Sequence, residues 1–346
     1  MDALRLTGWG QDAEIQQVEQ PDPGPGQVLV RIGGAGACHS DLHLMHDFGP
    51  GVLPWGPPFT LGHENAGWVA GVGPGVDGLE VGQAVAVYGP WGCGRCRRCR
   101  TGAENYCERS AELAVAGGGL GADGGMAPYQ LVPHDRWIVP IGDLDPVAAA
   151  PLTDAALTPY HAIARSLPVL LPGSTVLVVG AGGLGHMAVQ LLRELTPARL
   201  VVVDRQPEAL ALAAGLGAHE TLLAGPDTEP EVMGLTGGAG VDVPIDLVGA
   251  DETLALAAAV TRAMGHLSIV GLGGGTLPVG FFRQAYEVSV ATTYWGTLPE
   301  LLDVIALARA GRISAEVTTF PLADAMTAYR RMQDGTLEGR AVIVPG

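Results

Sequence analysis

The sequence predicts an α/β protein with two domains, a β-rich domain and a domain built on a doubly wound parallel sheet. Three observations support this prediction. The chain has 346 residues, which is enough for two domains of ordinary size. Its first part, to about residue 155, is rich in Gly and Pro and contains short alternating apolar runs. After Pro151 the pattern changes to buried strands that alternate with helices.

Short alternating runs predict strands in the first part of the chain. They are Gln27–Ile32, Gly67–Val72 and Ala84–Tyr88, and turns rich in Gly and Pro separate them. This pattern is typical of a β-rich domain with long loops, and loops on a rigid scaffold often carry functional side chains.

The second part of the chain alternates apolar strands with helical segments. Branched apolar residues predict buried strands, and apolar residues at helical spacing predict the helices between them. In order, these segments are the strand Ser174–Gly180, the helix Gly183–Leu195, the strand Leu200–Asp204, the helix Pro207–Leu216, and the strands Val241–Val248 and His266–Gly271. The alternation implies a parallel sheet with helices on both faces.

Two further features complete this outline. Pro244 lies inside a predicted strand, where it cannot donate a ladder hydrogen bond, so we expect a bulge or an edge position there. From about Tyr294 the chain has a helix at Pro299–Ala310 and an apolar run at Ala341–Pro345. This last part could return to the first domain.

Composition and charge exclude several classes of function. The net charge is −17 and the pI is near 4.8, which argues against binding to nucleic acids or anionic membranes. All 19 basic residues are arginine, so chemistry that requires a lysine is excluded. We see no secretion signal and no apolar stretch long enough to span a bilayer. We therefore expect a soluble protein of the cytoplasm.

Four cysteines form a compact cluster. Cys93, Cys96, Cys99 and Cys107 have the spacing Cys-x2-Cys-x2-Cys-x7-Cys, and four thiolates at this spacing can surround a zinc ion tetrahedrally. Two disulfides would be the alternative, but a chain of this length builds its core without them. We expect a structural zinc site, because four protein ligands leave no open position.

A glycine-rich loop follows the strand Ser174–Gly180 and opens the next helix. Its residues are Gly180, Ala181, Gly182, Gly183, Leu184 and Gly185. Glycines let the backbone approach a pyrophosphate, and the helix N-terminus supplies N–H donors. Asp204 ends the next strand, where a carboxylate can bind the adenosine ribose hydroxyls and repel a 2′-phosphate. The loop predicts NAD rather than NADP, although Arg205 could hold that phosphate.

A second metal site is suggested by one thiol and one imidazole in loops of the first domain. Cys38 and His63 form a partial zinc site that leaves room for a third protein ligand and an open position. Asp154 and Glu64 are both candidates for the third ligand, and spacing does not decide between them.

Together, these motifs resemble the zinc-dependent medium-chain alcohol dehydrogenases over essentially the whole chain. The most specific stretch is Gly62-His63-Glu64-x2-Gly67-x5-Gly73, which is similar to the zinc signature of that family. Kinship with bacterial NAD-dependent secondary-alcohol dehydrogenases is suggested by four segments, at residues 36–41, 88–93, 151–154 and 294–296.

The resemblance implies a fold and a set of metal ligands. A GroES-like catalytic zinc domain would span 1–155, a Rossmann NAD-binding domain 156–291, and a return to the catalytic domain 292–346. Cys38, His63 and Asp154 would hold a catalytic zinc, with Asp154 at a position where alcohol dehydrogenases often have cysteine. Glu64 would lie close to the metal, and Asp41 would orient His63. Each chain would bind two zinc ions.

The resemblance also assigns a proton relay and further contacts with the coenzyme. Ser40 would accept the proton of the alcohol, and the proton would continue through the nicotinamide ribose to His43. His39 and Arg340 would lie near the coenzyme phosphates, and Thr158 would pack beside the nicotinamide. A surface position for His43 and Arg340, and a helix-start role for Thr158, are the simpler alternatives.

Four apolar or aromatic residues match positions that line the substrate pocket in relatives: Trp55, Leu120, Tyr294 and Trp295. They favour an apolar or aryl secondary alcohol, or the matching ketone, over a polyol. A primary alcohol, aldehyde or formaldehyde-adduct dehydrogenase is the first alternative. A non-catalytic NAD-binding protein and a zinc-independent quinone reductase are less favoured. The resemblance also suggests a homodimer or homotetramer.

Overall fold

A computed structural model describes all residues from 1 to 346. In chain order the strands are β1 (Asp2–Leu6), β2 (Glu14–Gln17), β3 (Val28–Gly36), β4 (Phe59–Thr60), β5 (Glu64–Val72), β6 (Ala84–Val87), β7 (Gly117–Gly118), β8 (Gly121–Ala122), β9 (Tyr129–Val132), β10 (Ile138–Pro140), β11 (Thr175–Val179), β12 (Arg199–Asp204), β13 (Glu220–Leu223), β14 (Val243–Asp246), β15 (His266–Ile269), β16 (Ser289–Thr292), β17 (Val317–Pro321) and β18 (Arg340–Val344). The helices are α1 (His39–His46), α2 (Arg97–Arg100), α3 (Pro146–Ala149), α4 (Leu157–Ser166), α5 (Gly185–Leu195), α6 (Pro207–Gly215), α7 (Thr228–Leu235), α8 (Asp251–Val260), α9 (Leu298–Arg309) and α10 (Ala325–Gln333). The strands and helices predicted from the sequence are confirmed, with ends that differ by a few residues.

The chain forms two compact units. One combines Met1–Leu157 with Gly296–Gly346, and the other is Thr158–Trp295. The first contains a seven-stranded sheet in the order β10-β6-β5-β3-β18-β17, with β9 also paired to β3. All its strand pairs are antiparallel except β17 with β18. Two smaller sheets, β2-β1-β4 and β7-β8, complete this β-rich unit.

The strand β3 lies between β5 and β18 and positions the ends of both. On one side Gly36 is in register with Glu64, the first residue of β5. On the other side Gly36 is in register with Val342 of β18, a strand that begins at Arg340. Residues from distant parts of the chain therefore meet at one end of this sheet.

The second unit is a six-stranded parallel sheet in the order β13-β12-β11-β14-β15-β16. Its core is formed by branched apolar side chains of the central strands and neighbouring helices, among them Leu177, Val179, Val201, Val203, Val232 and Val260. The strand order reverses between β11 and β14, and such a switch point is where ligands bind in doubly wound folds. The α/β fold class predicted from the sequence is confirmed.

The expectation for Pro244 is wrong. It lies in β14, an interior strand, in register with Leu177 and without a shift between the two strands. The ladder with β15 begins one residue later, at Ile245, so Pro244 precedes the part of β14 that is paired on both sides. No helix in the structure is both long and apolar enough to cross a membrane.

Candidate active site and metal centres

The helix α1 and the loop before it place the first metal-binding side chain. Cys38 is the N-cap residue of α1, and its backbone N–H donates to Asp41 Oδ2 at 3.0 Å. The carboxylate of Asp41 therefore closes the first turn of the helix and holds the backbone of Cys38. The Cys38 side chain is buried, with its Sγ 3.8 Å from Asp154 Oδ2.

His63 precedes β5 and faces Asp41 with one ring nitrogen. Its Nδ1 lies 3.1 Å from Asp41 Oδ1, whereas its Nε2 lies 3.7 Å from Asp154 Oδ2 and 3.3 Å from Ser40 Oγ. A carboxylate against Nδ1 directs Nε2 toward the metal, as is usual for histidine ligands. Tyr329, on α10, donates its hydroxyl proton to Asp41 Oδ2 at 2.8 Å and so fixes the orienting carboxylate.

Four potential ligand atoms converge at this point. One ligand atom each of Cys38, His63, Glu64 and Asp154 lies within 4.8 Å of the others. Glu64 accepts hydrogen bonds from Arg340 on both carboxylate oxygens, while Asp154 Oδ2 faces Cys38 and His63. The set of one sulfur, one nitrogen and one carboxylate oxygen fits zinc with an open fourth position.

Glu64 reaches Arg340 by crossing β3 over a glycine. A Cβ atom built on Gly36 would lie 1.9 Å from Glu64 Oε2 and 2.8 Å from its Cβ. Any side chain at this position would therefore displace the carboxylate. Glu64 and Arg340 are both buried, and Arg340 Nη2 lies 3.8 Å from Asp154 Oδ2. One guanidinium thus lies within 4 Å of two carboxyl groups beside the metal site.

The ionisation of these groups follows from their neighbours. Burial opposes the thiolate of Cys38, but Arg340 and His63 outweigh burial and lower its pKa. Burial likewise opposes ionisation of Asp41, but His63 and the hydrogen bonds to the carboxylate hold its pKa below the usual value. Burial raises the pKa of Glu64 well above its usual value despite Arg340, and Asp154 adds to this rise. A ready thiolate is the form in which cysteine binds a metal.

A second metal centre lies in the loop around α2. The sulfurs of Cys93, Cys96, Cys99 and Cys107 all lie within 4.8 Å of one another, and none of these cysteines forms a disulfide. Backbone N–H groups point at the sulfurs: Cys93 Sγ accepts from Cys96 N at 3.3 Å, and Cys96 Sγ accepts from Cys99 N at 3.4 Å. Such hydrogen bonds, those from Arg95 and Cys96 above all, lower the pKa of Cys93 to about 6. The four-sulfur set fits a closed, structural zinc site.

The glycine-rich loop has the geometry expected of a phosphate cradle. Gly180 has φ of +94°, and a Cβ on Gly185 would lie 2.2 Å from the carbonyl oxygen of Gly180. A Cβ on Gly182 would meet no atom within 4 Å, so there is open space above this residue. Leu184 is the N-cap residue of α5, whose N-terminus is polarised to attract an anion.

The loop is tied to the acidic residue that ends β12. Asp204 Oδ2 accepts from Ala181 N at 2.6 Å, and Asp204 Oδ1 accepts from Gln206 N at 2.8 Å. A carboxylate has further lone pairs on each oxygen, so these bonds leave capacity for ribose hydroxyls. The loop and this carboxylate fit the adenosine half of a dinucleotide.

Comparison with known proteins agrees with these two centres and the loop. Residues 24–143 match the model of the alcohol dehydrogenase GroES-like domain, and residues 183–309 match that of the zinc-binding dehydrogenase. An NAD-dependent alcohol dehydrogenase of Sulfurisphaera tokodaii is 35% identical, with both chains covered over 100% of their length. The chain belongs to the zinc-dependent medium-chain alcohol dehydrogenase family.

Further relatives show the range of this family. The crystal structure of an alcohol dehydrogenase from the hyperthermophilic archaeon Aeropyrum pernix superposes with a TM-score of 0.94, at 37% identity and 100% coverage of both chains. A D-arabinose 1-dehydrogenase (NADP(+)) of Saccharolobus solfataricus is 33% identical over 99% of this chain and 97% of its own. The relatives thus differ in substrate and coenzyme.

The dehydrogenase places its relay candidates along α1. Ser40 lies beside Nε2 of His63, and His39 is the first residue of the helix. His43 lies in the last turn, where its Nδ1 is 2.5 Å from Asp47 Oδ2. Arg340, expected at the coenzyme phosphates, has a buried guanidinium that pairs with Glu64; its contact with a phosphate stays a prediction. Thr158 and Arg205 also keep their expected roles as predictions.

Of the four expected pocket residues, two lie together in the first unit of the dehydrogenase. The Trp55 indole packs over Gly121, next to the buried Leu120, and meets Phe59 edge-on with ring centroids 5.8 Å apart. Tyr294 and Trp295 end the second unit, with their rings edge-to-face at 6.1 Å. Their role as a substrate pocket stays a prediction.

Sequence reasoning missed two supporting residues. Tyr329 contacts Asp41 across a separation of 288 residues, and no local pattern marks it. Glu104 lies within the cysteine cluster and is buried. Its carboxylate accepts from Gly92 N at 2.7 Å, Trp137 Nε1 at 2.8 Å and Arg136 Nε at 2.9 Å. A lone acidic residue between closely spaced cysteines was the available signal for Glu104.

Proposed function

We propose that this enzyme interconverts secondary alcohols with apolar or aryl substituents and the corresponding ketones. Its reaction class is that of its family, zinc-dependent oxidoreduction of alcohols and carbonyl compounds with NAD. The observation that carries the proposal is the convergence of Cys38, His63 and Asp154, a buried three-ligand set that fits zinc with an open position. The aromatic side chains Trp55 and Phe59 in the same unit support an apolar substituent.

Different residues of the chain would hold the metal and orient its ligands. When bound, zinc supplies a Lewis acid that favours ionisation of an alcohol hydroxyl, and NAD+ supplies the acceptor for the hydride. Cys38, His63 and Asp154 would hold the ion, and Asp41 would keep Nε2 of His63 directed toward it. In total, alcohol and NAD+ give ketone, NADH and one proton.

Ser40 and His43 would conduct that proton. Ser40 Oγ lies 3.3 Å from His63 Nε2, which supports a position beside the reacting hydroxyl. It would accept the hydroxyl proton, and His43, at the other end of the relay, would take up a proton and release it to water. Asp204 would bind the adenosine ribose of NAD, with the loop from Gly180 to Gly185 at the pyrophosphate.

The domain organisation proposed with this function has a catalytic zinc domain at 1–155, an NAD-binding domain at 156–291 and a return segment at 292–346. The division into compact units near residues 157 and 296 supports it.

A homodimer or homotetramer is the proposed assembly. The strand β16 pairs only with β15 and so has a free edge. Phe281, Phe282 and Tyr286, in the segment before it, are 75%, 90% and 62% exposed. A cluster of exposed aromatic side chains indicates a surface that another molecule covers, and a second copy of this chain is the proposed partner. Sedimentation of the wild type against a variant with all three aromatics changed to serine tests this; an unchanged mass for the variant contradicts it.

A panel of substrates tests the proposed specificity. Initial rates of NAD+ reduction are measured with 2-propanol, 1-phenylethanol, ethanol, benzyl alcohol and D-arabinose, before and after zinc removal by a chelator. We expect zinc-dependent turnover, fastest with the two secondary alcohols. A wide preference for ethanol or benzyl alcohol would establish a primary-alcohol dehydrogenase instead. D-arabinose is included because one relative is named for it, and a preference for it would make the substrate a sugar. No turnover with any of them would contradict the proposal.

A further inference from the structure

At the C-terminal end of α1, the imidazole of His43 contacts the carboxylate of Asp47. His43 Nδ1 lies 2.5 Å from Asp47 Oδ2, and the backbone N–H of Asp47 donates to the carbonyl oxygen of His43 at 2.9 Å. The His43 side chain is 24% exposed and that of Asp47 is 61% exposed. The pair therefore lies at the edge of the protein, with the imidazole largely covered.

The stability of the helix does not explain this carboxylate. Asp47 is the C-cap residue of α1, and the C-terminal end of a helix is the negative end of its dipole. A negative side chain there is unfavourable. An exposed ion pair four residues apart contributes only a few tenths of a kcal/mol in return.

The contact does, however, determine which nitrogen of His43 can act as a base. An ionised carboxylate only accepts hydrogen bonds, so Nδ1 must carry the proton in the neutral ring. Nε2 is then the nitrogen with the free lone pair. When Nε2 takes up a proton, the imidazolium that forms stays bonded to the carboxylate, which stabilises its charge. The same division of roles operates in the serine protease triad.

We propose that Asp47 is a positioning residue for the proton relay: it holds His43 in the tautomer whose Nε2 accepts the proton and stabilises the resulting imidazolium. This inference rests on the proposed function, in which His43 ends the relay. The alcohol gives its proton to Ser40 at one end of the relay, and Nε2 of His43 takes up a proton at the other end and releases it to water. Asp47 remains ionised throughout and neither gains nor loses a proton.

Several charged groups on α1 and on the helix packed against it bond to residues other than His43. On the same helix, His46 Nε2 faces Asp12 Oδ1 at 3.3 Å. The helix α10 packs against α1 and brings three groups that titrate or carry charge, but their hydrogen bonds go to residues other than His43; these groups are Tyr329, Arg330 and Arg331. Asp41 is bonded to Tyr329 and faces His63. Asp47 Oδ2 is the carboxylate oxygen in contact with Nδ1 of His43.

The test compares Asp47→Ala, Asp47→Glu, His43→Ala and the double variant in the zinc-loaded holoenzyme. General acid–base catalysis contributes about 10²–10⁴-fold to a rate, so we expect kcat to fall about a hundredfold in His43→Ala and about tenfold in Asp47→Ala. The KM values for alcohol and NAD+ should not change. Asp47→Glu should restore most of the rate that Asp47→Ala loses. The double variant should be no slower than His43→Ala alone, because Asp47 acts through His43.

Asp12→Ala is the matched control. It removes the carboxylate from the other histidine–aspartate pair of α1, in which the side chains are 38% and 69% exposed. We expect its kcat to equal that of the wild type. An equal loss in Asp12→Ala and Asp47→Ala would show a general effect of helix charge and overturn the inference.

A spectroscopic measurement tests the tautomer without turnover. In protein labelled with ¹⁵N at histidine, the ring nitrogens of His43 should report Nδ1–H in the wild type and a mixture of tautomers in Asp47→Ala. Nε2–H in the wild type would overturn the inference, as would multiplicative losses in the double variant. If the wild type is inactive or His43→Ala retains full activity, the proposed relay itself fails. Full activity in Asp47→Ala, together with a slow His43→Ala variant, would refute the role of Asp47 and leave the relay itself standing.

Discussion

Arg340 at the start of β18 pairs with Glu64 at the start of β5 across the intervening strand β3. Arg340 Nε donates to Glu64 Oε2 at 2.9 Å, and its Nη2 donates to Glu64 Oε1. The bond crosses Gly36. Only glycine, which has no Cβ atom, leaves room for the carboxylate at this position. Both partners are buried, so each replaces water as the hydrogen-bond partner of the other. The carboxylate of Asp154 lies close to Cys38 and His63.

Removing the guanidinium should therefore be costly. In Arg340→Met the Glu64 carboxylate stays buried without its partner, and we expect the free energy of unfolding to fall by about 3–5 kcal/mol. Urea unfolding followed by tryptophan fluorescence measures this. Arg262→Met is the control, because Arg262 pairs with Asp242 at 3.1 Å with its side chain 46% exposed, and it should lose about 1 kcal/mol or less. Similar losses in the two variants would contradict the importance of burial.

The cysteine cluster should hold its own zinc ion. Cys99→Ser should lower the zinc content from two ions per chain to one, because a four-ligand site loses much of its affinity with one sulfur. We also expect Tm to fall by ~10 °C, since the loop around α2 loses the metal that closes it. Metal analysis and calorimetry measure both. Asp154→Ala should instead lose the other ion and keep this one. Loss of both ions in either variant would show that the sites depend on each other.

The charge of Asp204 should set the choice of coenzyme. Asp204→Asn keeps an oxygen that can accept from Ala181 N but removes the negative charge that repels a 2′-phosphate. We expect the ratio of kcat/KM for NADP+ to that for NAD+ to rise about 10-fold or more, equivalent to ~1.4 kcal/mol. Glu220→Gln, on the neighbouring strand β13, is the control and should leave the ratio unchanged. A constant ratio in Asp204→Asn would remove Asp204 from coenzyme selection.

His266 should make the stability of the protein depend on pH. Burial, helped by Arg165, lowers the pKa of His266, whose Nε2 is buried without a hydrogen bond. The unfolded chain, with a histidine pKa of about 6.5, then binds more protons than the folded one. The contribution of His266 to the free energy of unfolding is therefore fully present above about pH 6.5 and is lost as the pH falls below that value. Urea unfolding between pH 7 and pH 5 should show a smaller loss in His266→Gln than in the wild type. His134→Gln, an exposed histidine of the other unit, is the control; equal slopes in wild type and His266→Gln would contradict the prediction.

Features that depend on neighbours in sequence could be predicted without the structure. The spacing of Cys93, Cys96, Cys99 and Cys107 brings four sulfurs together within one loop, and the glycines after β11 must lie at the start of α5. The parallel sheet followed from apolar periodicity for the same reason. Pro244 shows where rules based on local sequence fail. The central strand β14 accommodates this proline because the pairing of β14 with β15 begins only at Ile245.

What the sequence determined by itself was the set of chemical groups: a four-thiolate cluster, a dinucleotide loop with its acidic residue, and a thiol and an imidazole for a second metal. It left Asp154 and Glu64 as equal candidates for the third ligand until the family resemblance was considered. In the structure Arg340 donates to both carboxylate oxygens of Glu64 from 276 residues away, whereas Asp154 Oδ2 lies near Cys38 and His63 as well as near Arg340. The tertiary structure likewise places Tyr329 on Asp41, across 288 residues. Such pairs depend on the register of β3 with β5 and β18 and on the packing of α1 with α10, and no local spacing encodes those contacts.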